Sequence, residues 1–186
     1  MKKLFTLLAL TMSFSMNAQM SDYSEGTSAT GSNAVAMGKS TTASGSRSTA
    51  MGGDSTASGD FSVAMGRGTT ASGTNSTAMG SGTIASGNNS SAMGYYTTAS
   101  GHKTTAMGAN TTASDYASLV IGQFNSSGSS VTNNATSYNT ANTAFVIGNG
   151  TDSSNKSDAF KVMFNGDATV SNDLTVSGDV VISSDA

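Results

Sequence analysis

The chain has 186 residues, a formal net charge of −3, only 10% charged residues, and neither cysteine nor proline. Without cysteine, a disulfide framework and lipid attachment at a cysteine are excluded. The acidic balance argues against nucleic acid as a partner, because phosphate binding needs a basic patch.

Residues 1–18 are predicted to be a secretory signal peptide. Lys2 and Lys3 give a short basic start, an apolar run follows from Leu4 to Met12, and Asn17-Ala18-Gln19 resembles a processing site. The apolar run is too short to span a bilayer. We therefore expect an exported protein, extracellular or associated with the cell surface or outer membrane, that does not itself insert into a membrane. Residues 19–28 form a lead-in.

Glycine then recurs at every seventh residue from Gly31 to Gly122, with Asp115 as the exception. The glycine ends an Ala-Met-Gly step and an Ala-Ser-Gly step in turn, so the true period is fourteen residues. A fixed short period with turn residues in register is typical of a stacked repeat. The composition alone would favour disorder, but a disordered linker has no reason to keep methionine in register.

Each repeat is predicted to form one coil of a flat parallel β-roll. Five-residue pieces such as 48–52 and 55–59 have the length of a strand, and we expect each glycine to open a tight turn where a positive φ is cheap. Coils stacked about 4.8 Å apart would pair every strand with its copies above and below. Seven coils would fill residues 29–122. The fold class predicted is therefore all-β.

The alternation of side chains along a strand predicts which residues face inward. Ala50 and Ala57, with their copies in the other repeats, are expected to form the core of the roll. Met51 then points outward from one strand, and Thr56 and Ser58 point outward from the other. One outer face carries a methionine stripe and the opposite face carries hydroxyl groups.

The methionine stripe predicts self-association. Burying one methionine side chain is worth about 1.5–3 kcal/mol, whereas alanine supplies little. A line of such side chains on a monomer would be a large exposed apolar patch, which soluble proteins avoid. We expect an interface between copies of the chain formed by Met37, Met51, Met65, Met79, Met93, Met107 and Ile121.

Beyond Gly122 the register ends. Residues 123–143 form an excursion rich in Ser, Asn and Thr, and residues 144–186 are predicted to be a β neck that is incomplete. Residues 144–148 read as one further copy of the Ala-Met-Gly strand, and Asn165-Gly166 predicts a hairpin. Residues 174–176 and 180–182 add short strands.

These repeats resemble the heads of trimeric autotransporter adhesins of the YadA type. Asn33 to Gly38 and Phe61 to Gly66 are similar to the Asn-Ser-Val-Ala-Ile-Gly repeat of that family, and Thr70 to Gly73 matches its small-residue strand. The resemblance covers residues 29–122. It implies a left-handed parallel β-roll that forms a homotrimer with apolar strands facing the threefold axis. It also implies attachment to surfaces, host matrix or other cells.

Two features depart from that family. Methionine stands where the family more often has isoleucine, and the sequence shows no heptad stalk or four-strand membrane anchor. Residues 174–186 instead resemble the neck of fibre proteins that carry an endosialidase-type intramolecular chaperone.

The residues predict neither catalysis nor a cofactor or metal site. The single histidine, His102, lies on a turn, where a lone histidine is ordinarily solvated. Gly53-Asp54-Ser55 is similar to the start of a serine-esterase motif, but no histidine is placed to serve it. Three carboxylates in the neck could hold a cation, but their spacing alone does not support a site: Asp152, Asp158 and Asp167.

If the head recognises a partner, its variable turn residues are the candidates. Exposed aromatic and cationic side chains commonly anchor partners, which points to Arg47, Phe61, Arg67, Tyr95 and Tyr96. Weak contacts along a trimer would gain strength by multivalency. For each residue the alternative of an ordinary solvated turn stays open.

Three functions compete at this point. The first is a non-enzymatic trimeric adhesin head. The second is ice binding, because Thr-Ala-Ser steps would place hydroxyls in a grid about 7 Å along the strand and 4.8 Å between coils, although Ile84 interrupts it. The third is a structural spacer of a longer fibre.

Overall fold

The computed structural model describes residues 20–21 and 26–175. The predicted signal peptide and the strand predicted at 180–182 lie outside the described residues, as does Val176. The described residues form a parallel β-solenoid of about seven coils of about fourteen residues each, without any helix. The predicted all-β solenoid is confirmed.

Two sheets run the length of the solenoid. One contains the long strands, with the two-residue β1 and the three-residue β18 at its ends, in the order β1-β3-β5-β7-β9-β11-β13-β15-β16-β17-β18. The other stacks the short strands in the order β14-β12-β10-β8-β6-β4-β2. The strands are β1 (Met20–Ser21), β2 (Ser28–Ala29), β3 (Val35–Lys39), β4 (Thr42–Ala43), β5 (Thr49–Gly53), β6 (Thr56–Ala57), β7 (Val63–Arg67), β8 (Thr70–Ala71), β9 (Thr77–Ser81), β10 (Ile84–Ala85), β11 (Ser91–Tyr95), β12 (Thr98–Ala99), β13 (Thr105–Ala109), β14 (Thr112–Ala113), β15 (Leu119–Gln123), β16 (Thr143–Asn149), β17 (Asp158–Met163) and β18 (Ala168–Val170).

The fourteen-residue period becomes a ladder of equivalent residues. Ala50 pairs with Ala64, and Met51 pairs with Met65, in parallel register. The expectation of two five-residue strands per coil holds for the long strand only. Each short strand has two residues, because the next two N–H groups donate to one carbonyl: Ser58 N and Gly59 N both bond Ala71 O, at 2.9 and 3.2 Å. The backbone turns there and leaves the ladder.

The core is a column of small side chains. The core alanines have 0% exposure, and Val120 and Val146 replace alanine at the end of the roll. A second set of buried residues, serine and threonine immediately before each strand, was not expected from the sequence. Ser55 Oγ donates to Gly66 O at 3.1 Å, and Thr69 Oγ1 donates to Ser55 Oγ at 2.9 Å. Hydroxyls of this size fit the ends of a roll too narrow for larger side chains.

Close stacking, rather than turn formation alone, requires the periodic glycines. Gly52 has a φ of +110°, and a Cβ there would lie 2.0 Å from Gly66 O. Gly59 has no left-handed φ, yet a Cβ there would lie 2.1 Å from Gly73 O. The prediction of a positive φ at each glycine is therefore right for the Ala-Met-Gly column and wrong for the Ala-Ser-Gly column. In both columns the next coil occupies the space of a side chain.

The left-handed turn position lies two residues after each periodic glycine. Asp54, Phe61 and Tyr96 have φ values of 54°, 58° and 50°, and Gly68 and Gly82 occupy the same position in their coils. Asparagine and aspartate tolerate this conformation, whereas bulky side chains adopt it rarely. The residue at this position therefore lies on a turn, and its side chain projects from one of the two edges of the solenoid.

The excursion after β15 caps the open end of the short-strand sheet. Asp115, buried and standing where earlier coils have glycine, accepts bonds from Thr132 N at 2.5 Å and Thr143 N at 2.8 Å. The side-chain amide of Asn125 accepts from Thr112 N at 2.8 Å and donates to Thr112 O at 2.9 Å. This amide takes the place of a next strand. The glycine series breaks at Asp115 because no further coil stacks on it.

The neck continues the long-strand sheet. β16 pairs parallel with β15, which confirms the predicted further copy of the repeat strand. β17 and β18 then pair antiparallel across the Asn165-Gly166 turn, where Gly166 has a φ of 95°, and this confirms the predicted hairpin. Leu174 and Thr175 lie outside any strand.

Candidate functional site

The outward side chains of the long strands form a surface with an apolar central column, called here the methionine face. Its central column is the predicted set, in which the six methionines pair with one another from coil to coil in five successive steps. Ile121 continues this column and pairs with Ile147. Beside it runs a second column of outward residues that is mixed: the apolar members are Val35, Val63 and Leu119, and the polar members are Thr49, Thr77, Ser91 and Thr105.

The methionine face stays partly open to solvent in the single chain. Met37 is 38% exposed, and the other five methionines and Ile121 are half-buried. The face does not end with the repeats, because Phe145 pairs with Val162 and Ile147 pairs with Phe160 across β16 and β17. The Phe145 and Phe160 rings meet edge to face, with centroids 6.1 Å apart. An apolar strip therefore runs from the first coil into the neck.

The opposite face carries the hydroxyl groups. Thr56 is half-buried, Ser58 is exposed but lies outside the two-residue strand, and Ile84 is 41% exposed within the threonine column. Near the capped end Ser100 Oγ donates to Ser114 Oγ at 3.0 Å. In each coil, only one residue of the two-residue short strand faces outward on this side. Nothing on this face favours ice binding over the adhesin interpretation.

One edge of the solenoid is built from the turns at 46–47, 60–61, 74–75 and 88–89. The Arg47 guanidinium lies over the Phe61 ring, 5.1 Å from its centroid. Asp60 Oδ1 accepts from Ser46 N at 2.9 Å, and the equivalent bond joins neighbouring coils further along. Arg47 and Phe61 therefore contact each other across adjacent coils.

The other edge contains a groove of about 330 Å³, called here the tyrosine groove. The rings of Tyr95 and Tyr96 meet nearly at right angles, 87°, with centroids 4.5 Å apart. The Tyr96 ring lies against Gly82, where a Cβ would be 2.7 Å from two ring carbons, whereas a Cβ on Gly68 would meet nothing within 4 Å. The groove is lined by Asp54, Arg67, Gly68, Ser81, Gly82, Tyr95 and Tyr96.

The five predicted contact residues thus fall into two groups. The structure brings Arg67, Tyr95 and Tyr96 together in the tyrosine groove, and it places Arg47 and Phe61 on the opposite edge. The sequence did not single out Asp54, Gly68 or Gly82 as parts of a site. The available signal was glycine in two successive coils at a turn position that other coils fill with larger residues.

The residues considered for catalysis and cation binding have structural partners. The Ser55 hydroxyl is buried and donates to a backbone carbonyl, so this serine is not placed as a nucleophile. Asp158 accepts bonds from Ser126 N and Ser127 N, both at 2.8 Å. Hydrogen bonds, chiefly from the Asn155 side chain, hold the pKa of Asp152 below its ordinary value. Across residues 20–21 and 26–175, no group of three or more His, Cys, Asp or Glu side chains is placed to hold a metal ion.

The described part of the chain contains no helix that is long and apolar enough to cross a bilayer.

Comparison with known families identifies the repeats. The family model for the YadA head domain repeat, which describes two copies, matches residues 29–55, 43–69, 71–97 and 99–125. A search of the curated proteins gave no match. The resemblance of the end of the chain to an endosialidase-type neck stays a prediction. The family matches cover half of the chain, their boundaries follow the coils of the solenoid, and the chain therefore belongs to the YadA head family, the head repeats of trimeric autotransporter adhesins.

Proposed function

We propose that this chain is a non-enzymatic adhesin head that assembles as a homotrimer through the methionine face and attaches to surfaces, host matrix or other cells. The observation that carries the proposal is the unbroken column of outward apolar side chains from Met37 to Ile121 along the long-strand sheet. YadA-like heads form trimers, and an adhesin of this family acts at the cell surface or outside the cell. Export fits the predicted signal peptide.

The asymmetry of the solenoid supports the assembly. The methionine face presents one large apolar side chain per coil, each worth about 1.5–3 kcal/mol on full burial. The hydroxyl face and both turn edges carry mainly polar side chains, and the exposed apolar or aromatic exceptions there are Phe61, Ile84, Tyr95 and Tyr96. Three copies arranged around one axis would cover the methionine faces and leave the turn edges outside, in a closed symmetric assembly.

The same arrangement suits adhesion. The turn edges repeat along the outside of the trimer, so that any contact made by one chain is offered three times. Shallow contacts of low individual affinity then act together, because the second and third contacts become intramolecular. Binding energy does not need to come from one deep pocket.

The test is the solution mass of the mature chain, residues 19–186, by light scattering after size exclusion. We expect a trimer, and we expect Met79→Asp to lower the mass, because it places a charge in the middle of the methionine face. Ser72→Asp, on the exposed opposite face, is the matched control and should leave the mass unchanged. A folded wild-type monomer, or a trimer indifferent to Met79→Asp, would overturn the proposed assembly. Circular dichroism shows whether each variant is folded.

Adhesion itself is tested on cells that display the full chain. Deletion of residues 29–122 should abolish attachment. Full attachment without these residues would contradict the adhesin role of the head and favour a structural spacer.

A further inference from the structure

We propose that the tyrosine groove is a binding site for a short carbohydrate. The inference rests on the proposed adhesin function and names the ligand class of one edge of the head. It depends on the shape of the groove, on its aromatic end and on the polar groups that line it.

The shape is that of a trough whose floor is open at Gly68. The left-handed turn positions of four successive coils are Asp54, Gly68, Gly82 and Tyr96, and three steps between coils span about 14 Å. Neither glycine adds a side chain: the space above Gly68 is open, the Tyr96 ring lies against Gly82, and Asp54 stands at the other end. The volume of about 330 Å³ lies within the range of about 300–1,000 Å³ found for small-molecule sites.

The aromatic end is exposed and strained. Tyr95 and Tyr96 are 53% and 56% exposed, although each could bury a large apolar area. Tyr96 holds a φ of 50°, which costs a side-chain-bearing residue about 1–2 kcal/mol. The fold does not require an aromatic residue there, because Ser40 and Asn110 hold the same position in other coils. The left-handed φ recurs through the repeats, so the exposed tyrosine, and not its φ, distinguishes this coil from the others on this edge.

The polar groups suit sugar hydroxyls. Asp54 and Arg67 are exposed and line the groove, so a carboxylate acceptor and a guanidinium fork reach the same trough as the tyrosine hydroxyls. A pyranose has an apolar C–H face that packs on an aromatic ring and a rim of hydroxyls that need both donors and acceptors. A peptide would instead favour an unpaired strand edge or an apolar pocket, and the strands beside the groove are paired on both sides.

The test measures binding of the full mature chain to an immobilised panel of defined neutral, uronic-acid and sialylated oligosaccharides. Wild type should bind at least one member. Tyr96→Asn removes the aromatic end, and Gly68→Asn fills the floor; asparagine tolerates the left-handed φ, so both variants should fold. Each should weaken binding by about tenfold or more.

Phe61→Asn is the matched control. It removes an exposed aromatic side chain from the same backbone conformation, φ 58°, on the opposite edge, and it should leave binding unchanged. Wild type that binds no oligosaccharide would overturn the inference, as would Tyr96→Asn that binds like wild type. Attachment to a protein-coated surface without any sugar binding would likewise overturn it, while leaving the adhesin role intact. Light scattering of the same samples reports separately on the trimer.

Discussion

The Oδ2 atom of Asp115 accepts a hydrogen bond from the backbone N–H of Thr143 at 2.8 Å, across 28 residues of sequence. Asp115 is fully buried and occupies the position where each earlier coil has the glycine of its Ala-Ser-Gly step. One residue therefore ends the repeat and fastens the cap. A terminal coil covered by polar chain is what a stacked repeat needs to remain soluble.

We expect Asp115→Gly to loosen the cap. The substitution restores the repeat pattern, but it leaves the buried N–H of Thr143 without its acceptor, at a cost of about 1–3 kcal/mol, and it also removes the acceptor of the N–H of exposed Thr132. Hydrogen exchange at these amides should accelerate, while the amides of the first coils stay protected. Asp54→Gly, which removes an exposed carboxylate, is the control. Unchanged exchange at Thr132 and Thr143 would contradict the capping role.

Alanine substitutions distinguish the two reasons for a glycine in the repeat, a positive φ and the close approach of the next coil. Gly59 has an ordinary φ, but a Cβ added there would lie 2.1 Å from Gly73 O. A Cβ added at Gly53 would meet no atom within 4 Å. We expect Gly59→Ala to lower the free energy of unfolding by about 1–3 kcal/mol or more, because the stacked coils must separate. Gly53→Ala should change it by less than about 0.5 kcal/mol. Thermal unfolding of both variants provides the measurement, and equal stabilities would show that stacking does not require glycine.

The sequence predicts the architecture well because its information is periodic. A fourteen-residue period fixes the register of Ala50 on Ala64 without any knowledge of distant contacts, and alternation then places Met51 outside. The period cannot say why a glycine recurs, since a turn and a close approach demand the same residue. Gly59 shows that the close approach can decide alone.

The remaining features depend on contacts that no local pattern encodes. The Asn125 side chain makes the hydrogen bonds with the Thr112 backbone that a further strand would make, thirteen residues away in the sequence. Nothing in the Ser/Asn/Thr-rich stretch distinguishes this asparagine from its neighbours. At the candidate site, Arg67 and Tyr95 lie on one edge because they are two periods apart. The groove between them depends on Gly82, because the Tyr96 ring occupies the space that a Gly82 side chain would fill. This contact cannot be predicted from the sequence pattern.

Deletion of a whole coil should be tolerated where deletion of half a coil is not. Removing residues 66–79 joins Met65 to Gly80 and keeps every column in register. Removing residues 66–72 joins Met65 to Gly73 and moves the following methionines to the short-strand side, so the stacked ladder is lost. We expect the first variant to keep its β circular dichroism and to be shorter by about 4.8 Å, and the second to unfold. Equal stability of the two deletions would contradict the assigned register.

Asn155→Ala should raise the pKa of Asp152 towards its ordinary value of 3.8. The Asn155 side chain is the largest cause of the lowered pKa, while bonds from the Ser154 and Asn155 N–H groups remain in the variant, so the return is partial. Because the folded pKa is lowered, this carboxylate contributes stability above its ordinary pKa and loses that contribution as the pH falls through the folded value. Nuclear magnetic resonance titration of the Asp152 carboxyl measures the change. An unaltered titration curve would show that the Asn155 amide is not the cause.

Nearly every periodic glycine contacts the glycine one coil later, so the coils of the head are spaced equally along its axis. Every coil offers the next the same bare backbone, so an in-frame duplication of one repeat would insert without rebuilding its neighbours. Genetic change in the number of repeats would then adjust the reach of the protein in even increments. The columns on each edge would lengthen in step, so reach and the number of displayed turns would vary together.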